Sequence, residues 1–121
     1  MVEKFKIILK YMQQEKGDVT MLALLKMDEL TDKWTIILSA SWATEGDADI
    51  FRYVLEKVRS ELSPDDLATV ARVAIFSQTH HLIQSLRRYA TGARIEEEKI
   101  NGNQIHEGVI IYSSSINATK K

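Results

Sequence analysis

The chain has 121 residues, 45% of them hydrophobic and 27% charged, with 16 Lys and Arg against 17 Asp and Glu for a formal net charge of −1. That is the mix of an ordinary folded domain, and the length leaves room for one core and no second domain. Balanced charge supplies no positive field for a phosphate backbone or an anionic lipid, so neither nucleic acid nor a membrane is an expected partner. With no cysteine, disulfides, thiolate nucleophiles and Cys-ligated zinc are excluded, and a reducing compartment, the cytoplasm, is the expected setting.

The chain opens with charged residues Glu3, Lys4, Lys6 and Lys10 set among apolar ones, which is no signal or membrane-spanning run. Val2, Phe5, Ile8, Leu9 and Met12 recur at three- and four-residue spacing, the pattern of an amphipathic helix, with Gly17 placed to end it. Residues 19–27 are apolar at nearly every position, a pattern shared by a buried helix of this length and a strand covered on both faces, of which the strand is the expectation. A polar connection at 28–32 leads to the clearest strand, in which Trp34, Ile36, Leu38, Ala40 and Trp42 alternate with Thr35, Ile37, Ser39 and Ser41. A connection this short pairs the two strands as an antiparallel hairpin.

Residues 44–49 form a polar loop, and Ile50, Phe51, Val54, Leu55, Val58 and Leu62 mark one face of a second helix with Asp47 as its cap. Ser63 and Pro64 stop it, and Pro64, Asp65 and Asp66 can start one short helical turn. Val70, Val73, Ala74, Ile75 and Phe76 read as a mostly buried third strand. A third helix is expected over 79–90, ended by Gly92. Residues 93–100 are polar enough for an edge strand, and Asn101-Gly102 suits a tight hairpin leading to a closing strand at 105–112. The segment 113–121 lacks apolar periodicity and reads as a frayed tail, so the expected domain spans 1–112.

The resulting order, α-β-β-α-β-α-β-β, defines a mixed α/β domain: a single-layer mixed five-stranded sheet flanked by about three helices. If the strands beginning at Trp34 and Val70 run parallel, their carboxyl ends share one edge of the sheet, where ligands bind in open α/β sheets. Topology therefore nominates Ser39, Ser41, Trp42, Thr44, Glu45 and Asp47 from one loop with Ser77, Gln78, Thr79, His80 and His81 from the next. Ser41, Trp42, Thr44, Ser77 and Thr79 are the ligand-binding candidates. His80 or His81 would serve as general acid/base, with Asp47 or Glu45 as its charge partner.

Against this stands the plainer reading that one histidine caps the helix start and the other faces solvent. Adjacent histidines diverge by about 100° on a helix, and none stands four residues from another, so no metal site is expected. No glycine-rich phosphate loop and no nucleophile elbow is present, and no cofactor is expected. The two tryptophans read as brackets of one buried face about 25 Å long at roughly 3.3 Å per residue. Glu96, Glu97 and Glu98 charge an edge against unwanted pairing. The leading expectation is a non-catalytic protein-interaction module acting as a homodimer, through the 93–112 hairpin or the first helix. The alternative is a small-ligand binder or enzyme at the strand-end edge.

Overall fold

The computed structural model describes residues 1–27 and 32–114. Helix α1 (Val2–Glu15) buries Phe5, Ile8 and Met12 on one face, and its exit turn is made at Gly17 with φ +123°, a conformation open chiefly to glycine. Strand β1 (Val19–Met27) is buried at every position but Lys26. Its odd and even residues serve different layers: Leu22 and Leu24 face α1, while Met21, Ala23 and Leu25 face the opposite side. This is why its sequence shows no alternation. Strand β2 (Trp34–Ala40) pairs antiparallel with β1, although residues 28–31 of the expected connection lie outside the described residues.

The alternation at Trp34, Ile36, Leu38 and Ala40 does mark one face, but the intervening Thr35, Ile37 and Ser39 are buried as well. The strand is sandwiched between two helical layers, so its polar face is interior. Helix α2 (Ala48–Glu61) starts at Asp47, whose Oδ1 accepts from the N–H groups of Asp49 and Ile50 at 3.0 and 3.2 Å. Val54, Val58 and Leu62 are buried beside α1 over the sheet. A four-residue helix, α3 (Pro64–Leu67), follows, capped by Ser63. Strand β3 (Val70–Ile75) then lies parallel to β2.

Helix α4 (His81–Leu86) is shorter than the pattern over 79–90 implies. Its last turns tighten to three-residue bonds, Arg88 N–H to Ser85 O and Tyr89 N–H to Leu86 O. Arg87 donates to Ser114 O at 3.0 and 3.2 Å, and Gly92 N–H donates to Ile110 O at 2.7 Å. These bonds draw the chain down onto the sheet before another helical turn can form. Strands β4 (Arg94–Ile100) and β5 (Asn103–Ser113) close the fold as a hairpin. Asn101 and Gly102 hold φ +52° and +80° at its two-residue turn, as a primed turn demands.

The strand order is β3-β2-β1-β5-β4, a five-stranded mixed sheet in which only β2 and β3 are parallel. Helices α1 and α2 cover one face, and α4 covers the other around Ile83, Leu86, Ile95, Ile105 and Ile110. Each of these large buried side chains contributes about 1.5–3 kcal/mol by leaving water. Residue Ser113 is the last of β5 and is buried, and residues 115–121, where the rest of the expected tail falls, lie outside the described residues. No helix among the described residues is long and apolar enough to cross a membrane.

Candidate functional site

Because β2 and β3 run parallel, their carboxyl ends do share an edge, and the loops that follow meet there. Glu45 Oε2 accepts from Ser77 N–H at 2.6 Å, tying one loop to the other. The hydroxyls of Ser77 and Thr79 lie 3.1 Å apart, and Thr20 Oγ1 donates to Gln78 Oε1 at 2.7 Å. Ser41 and Thr44 are exposed, and Thr44 O accepts from Asp47 N–H at 3.1 Å in the turn that precedes α2.

The two histidines occupy different surroundings. His80 Nδ1 accepts from Leu82 N–H at 3.1 Å, capping α4, and its ring rests against Phe76 with centroids 4.5 Å apart. His81 is exposed at the first position of the helix. Neither is joined to Asp47 or Glu45: Asp47 serves the start of α2, and Glu45 serves Ser77. Among the described residues, the histidine that meets a carboxylate is His106, whose Nδ1 lies 3.2 Å from Glu97 Oε1 on the β4–β5 hairpin. No three His, Asp or Glu side chains among the described residues gather as metal ligands would.

Trp42 leaves β2 toward α1, where its indole N–H reaches Gly17 O and Asp18 O at 3.1 and 3.0 Å. Its ring meets Tyr53 edge-on, with centroids 6.2 Å apart. Beyond it lies a cluster that no local pattern announces. Tyr53 donates its hydroxyl proton to Glu15 at 2.6 Å, Lys57 Nζ stands 3.0 Å from the same carboxylate, and Lys16 lies over the Tyr53 ring at 4.9 Å. The hydrogen bonds from Tyr53 and then Lys57 hold Glu15 below the usual carboxylate range. Partial burial, and next the bond to Glu15, push the Tyr53 hydroxyl above its ordinary value. The cluster joins the end of α1 to the middle of α2 across 38 residues of sequence.

A second locus is apolar. Along the open side of β3, a cavity of about 430 Å³ runs between the strand and helices α2 and α3, lined by Phe51, Leu55, Leu67, Val70 and Val73 with Arg59 and Arg72. It continues past Phe51 into a second hollow of about 250 Å³ beside Ile75 and Asp47. Phe51 is 41% exposed although it is among the largest apolar side chains of α2. The reading of 70–76 as mostly buried fails here, since Ala71 and Arg72 are exposed and only Val73 is buried. The β-branched run signals a strand correctly, but it cannot say that β3 ends the sheet.

The two edge strands differ in kind. The expected edge, β4, carries Glu96, Glu97, Glu98 and Lys99, all exposed, and is kinked where Glu97 adopts φ +47°. That kink reverses the alternation, so Ile95 and Ile100 are both buried five residues apart. On β3 the only charged residue is Arg72. No family model matches this chain, and neither a curated protein nor a solved structure does.

Proposed function

We propose that this protein is a non-catalytic interaction module of the cytoplasm that works as a homodimer. The carrying observation is the contrast between its sheet edges: β4 is charged and kinked, while β3 is nearly uncharged and lies beside an apolar groove that exposes Phe51. Proteins guard free edges with charges and kinks because an unguarded edge recruits another strand. An edge left unguarded next to exposed apolar surface is suited to a partner. The surface favoured is thus on β3 and α2 rather than on the 93–112 hairpin or α1.

The polar residues at the strand ends support the same reading, since Asp47, Glu45 and His80 are each engaged in holding the backbone. The test is light scattering coupled to size-exclusion chromatography on the unmodified chain and on a His80→Ala, His81→Ala double variant. Both should elute with the mass of two chains. A monomer whose melting temperature rises with one small ligand, and loses that rise in the double variant, would instead establish a binding site at the strand ends.

A further inference from the structure

We infer that two copies join by pairing β3 with β3 antiparallel, about a twofold axis through Ala74, to make one continuous ten-stranded sheet from two five-stranded ones. The inference rests on the proposed self-association and specifies its seam. Phe76 N–H donates to Leu38 O on the neighbouring strand. The alternation of a parallel ladder therefore turns the backbone groups of Arg72 and Ala74 toward β2, and those of Val73 and Ile75 outward.

The outward row is bounded at both ends. Ser77 N–H is already taken by Glu45, and the register breaks at Ala71, with Trp34 opposite Val70 and Thr35 opposite Arg72. Val73 and Ile75 thus carry the regular groups left without a partner among the described residues. A copy that satisfies both residues must set its Ile75 opposite Val73, and twofold symmetry then puts the axis through Ala74. An axis through Arg72 would oppose like charges directly. In the Ala74 register Arg72 lies opposite Phe76 of the other copy, and the two guanidinium groups stay apart.

Charge along the groove points to a second copy as the occupant. Helix α2 returns antiparallel to β3, so Arg59 stands at one end of the groove and Asp47 at the other, while Arg72 turns to the opposite face of the sheet and donates to Thr35 Oγ1 at 3.3 Å, and neither Asp65 nor Asp66 of α3 lines the groove. The twofold axis reverses the groove and brings the basic end of each copy to the acidic end of its mate. Self-complementarity of this sort is what an isologous interface requires.

The absence of cysteine makes the test direct, because a single introduced thiol can cross-link only to itself in another copy. Residues opposite each other at a non-hydrogen-bonded antiparallel position have Cα atoms about 4.5 Å apart, within disulfide reach. Mild oxidation of Ala74→Cys should give a cross-linked dimer in a yield that dilution does not lower. Ala71→Cys, at a more exposed site, should give almost none, although random collision would favour it.

If the unmodified chain is a dimer and Ala74→Cys fails to cross-link while keeping a native circular dichroism spectrum, the seam is wrong and self-association stands. A monomeric unmodified chain overturns both. Hydrogen exchange then names the occupant: protected Val73 and Ile75 amides mean another segment of the same chain, and freely exchanging ones leave the edge to an extended peptide of a different protein.

Discussion

Replacing Ser39 by alanine should make the protein more stable. Ser39 lies in β2 opposite Met21 of β1, is 0% exposed, and its hydroxyl has no hydrogen-bond partner among the described residues. Leaving a buried hydroxyl unpaired costs about 1–3 kcal/mol of desolvation. Removing the oxygen leaves a hole of roughly 10–15 Å³, about one water-sized sphere. At roughly 24 cal/mol per Å³ that hole costs about 0.3 kcal/mol. The net expectation for Ser39→Ala is a gain of about 0.7–2.7 kcal/mol, or about 4 °C in melting temperature per kcal/mol at this chain length. Urea unfolding should show a higher midpoint with an unchanged slope, so that the shift reports stability alone. An unchanged or lower midpoint would refute the reasoning, because it would mean the hydroxyl holds a partner worth more than its desolvation.

A methyl group at Gly108 would come within 2.8 Å of Leu25 Cδ2, 3.3 Å of Ile95 Cβ and 3.5 Å of Ile105 Cγ2. Gly108→Ala should therefore cost about 1–3 kcal/mol by overpacking, read from the urea midpoint; wild-type stability would show that Leu25 can repack. Asp47→Ala should cost about 1 kcal/mol by leaving the first turn of α2 uncapped, while Asp47→Asn should keep most of that; equal losses in thermal melts would contradict the cap. Tyr53 and Lys57 hold Glu15 below its ordinary range, so its contribution is present above the unfolded value near ~4.3 and is lost as pH falls through the lower folded value. Glu15→Gln should flatten that acid limb of stability, measured by urea melts from about pH 5 down to about pH 2; an identical limb in the variant would remove Glu15 from the account.

Several elements are legible in the sequence because local chemistry specifies them. Asn101 and Gly102 specify their turn because few other pairs tolerate two positive φ angles. Asp47 specifies a helix start because its side chain accepts the free N–H groups found there, and Ser63, read as a stop, proves to cap the short helix that follows. What sequence pattern hides is long-range. Nothing within 70–76 states that β3 lies at the margin, since a β-branched run is needed equally at the centre and at the edge. The Glu96 to Glu98 run looks like a regular alternating strand until Glu97 turns left-handed, and nothing nearby marks that residue. The placement of loop residues such as Glu45 and Ser77 on one edge follows from topology, yet their bond to each other depends on contact across 32 residues. The groove is out of reach of any local pattern because its walls come from α2, α3 and β3 together.

The sheet order carries a consequence for how the chain assembles. β1 lies at the centre, but its partner on one side, β5, is the last strand made, and Met21 meets Ser113 about ninety residues later. During synthesis, helix α1 and strands β1, β2 and β3 can gather from neighbouring segments, while the other edge of β1 stays bare until the β4–β5 hairpin arrives. Closing so distant a pair is the slow step of a topology like this one. The half-built sheet offers its most apolar strand to any chain nearby in the meantime, so yield in the cell should depend on how quickly that hairpin docks.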